Sequence, residues 1–156
     1  MRAAVLTISD GCSAGRREDR SGPRVAELLA AASFDVAVRE VLPDEQEQIT
    51  ARLRQLAGQV EVVLTTGGTG MGPRDVTPEA TLAASERLAP GLAELMRQQG
   101  AQSTPRAWLS RGVAGMRGGT LFLNLPGSPR GAEESLRAVL PVLSHALELL
   151  RGKTEH

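Results

Sequence analysis

The segment VEVVLTTGGTGMGPRDVTPEA, residues 60–80, decides the fold. Its first seven residues are mostly β-branched or apolar and too few for a helix, which indicates a buried strand. Four glycines follow between positions 67 and 72, and they allow positive φ and a close approach of main-chain N–H groups to a ligand. Thr77 and Pro78 have the residue types of a helix N-cap and first position. We therefore predict a strand, a bare loop suited to phosphate, and a helix.

The loop lacks the two common phosphate-binding fingerprints. Asp75 stands where a dinucleotide-binding loop has its third glycine, and no Gly-Lys-Ser/Thr follows. The only lysine of the chain is Lys153, so a phosphate here would be held by backbone amides, arginine or a divalent cation. The simpler interpretation is a strand-to-helix turn in which Asp75 favours the positive end of the helix dipole.

Length and composition exclude several classes of protein. A chain of 156 residues predicts one domain, residues 1–156. A net charge of zero and an aromatic content of 2% disfavour nucleic-acid binding, which needs basic and stacking surfaces. No apolar run approaches the roughly 20 residues of a membrane span, and the single cysteine, Cys12, fits a reducing compartment. We expect a cytoplasmic protein with neither nucleic-acid nor membrane partners.

Strand and helix patterns alternate along the rest of the chain. Besides the central strand, short apolar or alternating runs predict strands at residues 3–8, 34–41, 113–116 and 120–124. Helical spacing lies between most of them, with Ser21 and Asp44 as candidate caps. This alternation favours an α/β fold, a Rossmann-like three-layer α/β/α sandwich with a mostly parallel sheet and one antiparallel strand.

In such folds, ligands bind beyond the carboxyl ends of the strands. The rule predicts that four loops lie along one rim, at residues 9–10, 43–44, 66–70 and 124–127. The rim would bring carboxylates, hydroxyls and glycines together.

Three separated segments resemble one known family. TTGGTG at 65–70 with PRDVTPEA at 73–80, and NLPGSP at 124–129, are similar to the molybdenum cofactor biosynthesis family that includes molybdopterin adenylyltransferase. The pair Ser9-Asp10 and the run at 42–45 are similar to the first and second loops of that family. The resemblance covers nearly the whole chain. It implies a single molybdopterin-binding domain, a three-layer α/β/α fold and usually a homotrimer.

The resemblance also implies a reaction. The terminal phosphate of molybdopterin attacks the α-phosphorus of MgATP, and pyrophosphate leaves. Because the attacking phosphate is already an anion, such a site needs positioning and positive charge more than a general base. Asp44 and Asp75 would be the catalytic carboxylates and the ligands or positioning groups of magnesium, an ion that prefers hard oxygen donors.

Two further groups of residues take roles from the resemblance. The expected nucleotide and phosphate contacts are Ser9, Asp10, Gly67, Gly68, Thr69 and Gly70. The expected pterin contacts are Ser110, Asn124, Pro126, Gly127 and Ser128. From the sequence alone, Ser110 is a turn hydroxyl that bonds to its own backbone.

Two other functions stay open at this point. One is a non-catalytic paralogue that binds molybdopterin or serves as a scaffold, and the retained Asp44 and Asp75 argue against it. The other is a nucleotide pyrophosphatase resembling the first domain of competence-damage-inducible proteins, and the run at 73–80 fits the cofactor family better. The family has trimeric and hexameric subgroups, and residues 69–75 resemble the catalytic one. The expected partners are molybdopterin, ATP, further copies of the chain and the molybdenum-insertion protein of the same pathway.

Overall fold

The structure is a computed structural model that describes residues 1–153; residues 154–156 lie outside it. The strands are β1 (Arg2–Ile8), β2 (Asp35–Leu42), β3 (Val62–Thr66), β4 (Arg87–Leu88), β5 (Ala114–Arg117) and β6 (Thr120–Leu125). The helices are α1 (Asp10–Ser13), α2 (Ser21–Ala31), α3 (Gln46–Leu56), α4 (Thr77–Ala84), α5 (Pro90–Ala101) and α6 (Pro129–Leu150), with a 3-10 helix over Pro105–Leu109. Within residues 1–153, no helix is both long enough and apolar enough to cross a bilayer.

All six strands join one sheet in the order β2-β1-β3-β6-β5-β4. The first four are parallel to one another, whereas β5 runs antiparallel to β6 and β4 runs antiparallel to β5. The carboxyl ends of β2, β1, β3 and β6 therefore lie on one side. The predicted mostly parallel sheet is confirmed. Strand β4 was not predicted, because two residues are too few to show a period.

Helices cover both faces of the sheet, which confirms the three layers. The partnered residues Val5, Leu64 and Leu123 point to one face and pack with α2, α5 and α6. Their neighbours in sequence point to the other face, where Val63 and Phe122 pack with α3 and α4. Both faces of the central strands are thus buried, as is usual for parallel strands between helix layers.

Three predicted helix caps are wrong, those at Ser21, Asp44 and Thr77, the last of which is the first residue of α4. Helix α2 starts at Ser21 itself, and the carboxylate that accepts from the Gly22 amide is Asp19, at 2.9 Å. Asp44 lies before the N-cap of α3, and its carboxylate accepts from the Asp10 amide of a neighbouring loop at 2.8 Å. For Asp44, a partner from a distant part of the chain therefore replaced the local one, which helix propensity does not predict.

Candidate active site

The loops that follow the parallel strands meet on one rim, as predicted. The amide of Gly67, after β3, donates to the carbonyl of Leu125 at the end of β6, at 3.1 Å. Asp10 and Asp44, after β1 and β2, bond reciprocally: each carboxylate accepts from the other residue's amide, at 2.8 and 2.9 Å. Arg74, in the loop after β3, donates to the Asp10 carboxylate, so hydrogen bonds connect the loops after all four strands.

Two adjoining cavities open on this rim. The first, of about 640 Å³, is here named the Ser9 cavity; its lining includes Thr7, Ser9, Cys12, Arg17, Asp19, Asp44, Thr66 and Gly67. The second, of about 500 Å³, is named the Ser110 cavity; its lining includes Thr69, Gly70, Met96, Arg97, Ser110, Asn124 and Pro126. Four residues line both and form their common wall: Gly68, Asp75, Gly127 and Ser128.

The predicted catalytic pair lies at this junction. Asp44 lines the Ser9 cavity and Asp75 is part of the common wall. A Cβ placed on Gly68 would lie 3.0 Å from Asp44 Oδ1, so the Asp44 carboxylate reaches the glycine loop. The structure thus brings together two carboxylates that are 31 positions apart in the sequence.

The predicted ligand contacts divide between the cavities differently from the sequence assignment. Ser9 and Gly67, two of the predicted nucleotide contacts, line the Ser9 cavity. Thr69 and Gly70 line only the Ser110 cavity, and therefore lie on the side of the predicted pterin residues. Asp10 lines neither cavity. All five predicted pterin contacts, Ser110, Asn124, Pro126, Gly127 and Ser128, line the Ser110 cavity.

The glycine loop is held in a backbone conformation that favours glycine. Gly67 and Gly68 have φ of +98° and +66°. Thr77, the first residue of α4, fixes this turn: its hydroxyl donates to the Gly67 carbonyl at 2.9 Å and its amide donates to the Gly68 carbonyl at 3.1 Å. These two bonds hold the loop in this conformation where it borders the cavities.

The two rim carboxylates differ in charge environment. Arg74 donates to both Asp10 oxygens, at 3.0 and 3.2 Å, and this pairing holds the pKa of Asp10 below its usual value. Burial raises the pKa of Asp44, and the negative charges of Asp10 and Asp75 add to the increase. Of these two carboxylates, Asp44 would therefore gain more from a nearby cation.

Asp44 and Asp75 are the carboxylates that would hold a magnesium ion. In each, Oδ2 accepts from a backbone amide, that of Asp10 or Gly72, while Oδ1 accepts no hydrogen bond from residues 1–153. The same residues contain no group of three or more His, Cys, Asp or Glu side chains that could hold a metal. Two carboxylates with free oxygens suit an ion that usually takes one or two from the protein and its other ligands from water and phosphates.

Arg111 holds the loop that carries Asp75, a role that the sequence analysis missed. Its guanidinium donates to the carbonyls of Gly70 and Asp75, both at 2.7 Å, and pairs with Glu79 at 2.5 Å. Its amide donates to the Thr69 carbonyl at 2.8 Å. The only signal in the sequence is an arginine in a weakly patterned segment, which does not reveal a partner more than 30 positions away.

Ser110 forms the local bond that its turn position suggests. Its hydroxyl accepts from the Gly112 amide at 3.3 Å, and its carbonyl is within 3.3 Å of Arg97 Nη1, which also donates to the Gly112 carbonyl at 2.7 Å. The hydroxyl hydrogen stays free to donate. Ser110 can therefore serve both the turn and a ligand in the cavity.

Asn124 lines the cavity, yet its amide is engaged within the protein. The residue is 2% exposed; its Nδ2 donates to the hydroxyls of Thr65 and Thr81 at 3.0 and 2.9 Å, and its Oδ1 accepts from the Val113 amide at 3.1 Å. These bonds connect β6, β3, α4 and the segment before β5. Asn124 therefore supports the rim, and direct contact with a pterin stays a prediction.

A substitution of Asn124 tests this supporting role. Asn124→Ala should lower the free energy of unfolding by about 2–3 kcal/mol, because it leaves buried polar partners without their bonds. Chemical denaturation measures the effect, with Thr65→Ser as a control that keeps the hydroxyl acceptor. An unchanged unfolding midpoint together with lost pterin binding would instead assign Asn124 to the ligand.

Comparison with known proteins identifies the family. The family described as a probable molybdopterin binding domain matches residues 4–145. The chain is 39% identical over 152 residues to the molybdopterin adenylyltransferase of Helicobacter pylori, covering 95% of this chain and 86% of that protein. It is 42% identical over 144 residues to the molybdopterin adenylyltransferase of Escherichia coli, covering 89% of this chain and 73% of that protein.

Solved structures agree with this relationship. The molybdopterin biosynthesis enzyme MoaB from Thermus thermophilus matches with a TM-score of 0.92 and 54% identity, covering 97% of this chain and 96% of that one.

Some curated relatives are longer: the chain spans 25% of the length of one from Drosophila melanogaster and 47% of one from Synechococcus elongatus. The predicted relationship to the enzyme molybdopterin adenylyltransferase is confirmed, and the chain belongs to the molybdenum cofactor biosynthesis family of probable molybdopterin-binding domains.

Proposed function

We propose that this protein transfers AMP from MgATP to the terminal phosphate of molybdopterin and releases pyrophosphate. The observation that carries the proposal is the common wall of Gly68, Asp75, Gly127 and Ser128. Predicted nucleotide contacts line the cavity on one side of this wall, and predicted pterin contacts line the cavity on the other. Two substrates bound in these cavities would bring their phosphates together beside Asp75.

The residues at the wall suit a transfer between two anions. Rigid glycine backbone leaves room for phosphate oxygens beside main-chain amides. Arg17 lines the Ser9 cavity and forms no ion pair with residues 1–153, so its charge is available to a phosphate. Magnesium held by Asp44 and Asp75 would supply the remaining neutralisation of the leaving pyrophosphate.

The second candidate is a molybdopterin-binding relative without catalysis. The reciprocal bonds between Asp10 and Asp44 favour this candidate, because one oxygen of each carboxylate holds a loop of the protein in place instead of binding a ligand. For either candidate we propose one domain over residues 1–156 and assembly as a homotrimer in the cytoplasm. For the adenylyltransferase we also propose transfer of its product to the molybdenum-insertion protein. Sedimentation equilibrium tests the assembly.

The test of the reaction is pyrophosphate release from MgATP by the wild-type protein, with and without molybdopterin. Release that requires molybdopterin, together with formation of adenylylated molybdopterin, would support the transfer. Release without molybdopterin would indicate a nucleotide pyrophosphatase. Molybdopterin binding without release would identify the non-catalytic relative.

A further inference from the structure

The Ser110 cavity continues from the common wall into the space between α5 and α6. Ala93, Met96 and Gly100 of α5 line one side of it, and Gly131, Glu134 and Ser135 of α6 line the other. None of these six residues lines the Ser9 cavity. This part of the cavity is therefore separate from the place where the phosphates would meet.

Ser135 carries a hydroxyl without a partner in this space. The residue is 4% exposed, yet its hydroxyl forms no hydrogen bond with residues 1–153. By contrast, the hydroxyls of Thr81 and Ser85 in α4 donate to the carbonyl one turn earlier, at 2.8 and 2.6 Å. Because this hydroxyl lines the cavity and has no partner among residues 1–153, it is available to an atom of a bound ligand.

Glu134 offers a fixed carboxylate with a free oxygen. Its Oε1 accepts from Arg130 Nε and Ser103 Oγ, both at 2.9 Å, while Oε2 accepts from no group within residues 1–153. The side chain is 25% exposed. The two existing bonds orient the group, and Oε2 keeps its acceptor positions for N–H donors.

The functional groups that line this end of the cavity limit the kind of ligand group that can bind there. Among the residues that line the Ser110 cavity, the carboxylates are Glu134 and Asp75, and Asp75 belongs to the common wall. Ala93 and Met96 provide an apolar surface for a flat ring. The 2-amino-4-oxo edge of a pterin presents two adjacent N–H donors, on N3 and the 2-amino group, and the O4 acceptor next to them. A carboxylate matches the two donors, and a hydroxyl or guanidinium, such as those of Ser135 and Arg106, matches O4.

We propose that Glu134 is the specificity-determining residue that binds the 2-amino-4-oxo edge of the pterin, with the Ser135 hydroxyl beside it. The inference rests on the proposed function, because it takes the pterin as the occupant of the Ser110 cavity. The inference goes beyond the proposed function because it says which end of the cavity recognises the pterin ring. In this arrangement the phosphate arm would point back to the common wall.

The test compares two rings that differ at one group. Ligand-observed NMR titrations would use 6-hydroxymethylpterin and 6-hydroxymethyllumazine, in which an oxygen replaces the 2-amino group. The wild-type protein should bind the pterin about 10-fold or more tightly, because lumazine sets an oxygen against the carboxylate. Glu134→Gln should remove or reverse this preference, because the amide oxygen would stay with Arg130 and Ser103 and the NH2 group would face the ring, where it matches the lumazine oxygen and not the 2-amino group. Ser135→Ala should weaken both rings.

Glu133→Gln is the matched control. Glu133 precedes Glu134 on α6 but does not line the cavity, and its carboxylate pairs with Arg24 on α2 at 2.8 and 2.9 Å. This variant should keep the wild-type ratio of affinities even if it is less stable. If the role of Glu134 were only structural, Glu134→Gln would lower the affinity for both rings equally and would leave the ratio of the two affinities unchanged.

The proposal is overturned if the wild-type protein binds the two rings equally or binds neither, or if Glu134→Gln keeps the wild-type ratio. The outcome is independent of ATP. A protein that discriminates the rings through Glu134 yet releases no pyrophosphate would retain this assignment and lose the adenylyl transfer. A protein that releases pyrophosphate but binds the two rings equally would retain the adenylyl transfer and lose the assignment of Glu134.

Discussion

Asp75→Asn should lower molybdopterin-dependent pyrophosphate release by about 100-fold or more, the usual cost of removing one preorganised electrostatic group from a transfer site. The change removes a negative charge from the wall between the two cavities and weakens the site that would hold magnesium. Asparagine has nearly the same shape, and its oxygen can still accept from the Gly72 amide, which Asp75 now bonds at 2.9 Å. The measurement is the initial rate at saturating MgATP and molybdopterin.

The fold should survive this substitution. The Asp75 backbone is held by Arg111, which donates to its carbonyl at 2.7 Å. We therefore expect the thermal midpoint to stay within a few degrees of wild type. Asp35→Asn is the matched control, since Asp35 lies at the start of edge strand β2 with a side chain 72% exposed, and it should keep full activity. A fully active Asp75→Asn protein would remove Asp75 from the mechanism.

Asp44→Asn is a less clean probe of the same site. Asp44 Oδ2 accepts from the Asp10 amide, and the Asp44 amide donates back to Asp10. A loss of activity there would combine a catalytic effect with movement of two rim loops. Asp75 has no such reciprocal bond with another loop, so the effect of its substitution is more specific to the site.

The arrangement of the rim could be predicted from the sequence because it follows from strand direction. Parallel strands end on one side, so the loops after β1, β2, β3 and β6 had to meet there. The position of Asp44 on the rim follows from the same rule, whereas Asp75 lies nine residues beyond β3 and was expected at the site from the family resemblance. Boundaries near Thr77 differed by one residue, since the Thr77 hydroxyl bonds to Gly67 instead of capping its own helix.

Contacts between distant side chains could not be predicted. Arg111 reaches the glycine loop from the segment before β5, and Glu134 reaches the Ser110 cavity from α6. Neither belongs to a local pattern, because helical periodicity treats Glu134 as one more charged residue on an amphipathic helix. Asn124 shows the converse: its position at a strand end suggested a ligand, whereas three internal bonds engage its amide.

Gly67→Ala should be the most destabilising single-methyl change in the site. Gly67 has φ of +98°, and a Cβ there would lie 2.3 Å from the Ile8 carbonyl oxygen. Ile8 is the last residue of β1, paired with Leu42 of β2, so its backbone has little freedom to move. Backbone strain and overpacking together should lower the free energy of unfolding by about 4 kcal/mol. The thermal midpoint should fall by about 10 °C.

Gly119→Ala separates the two causes. Gly119 has a similar φ of +82° in the turn between β5 and β6, but a Cβ there would have no atom within 4 Å. This control should therefore show only the backbone strain, about 1 kcal/mol. The difference between the two variants measures the close contact between the glycine loop and the end of β1. Equal losses would mean that the loop moves away from Ile8, and the common wall of the two cavities would then be adjustable rather than rigid.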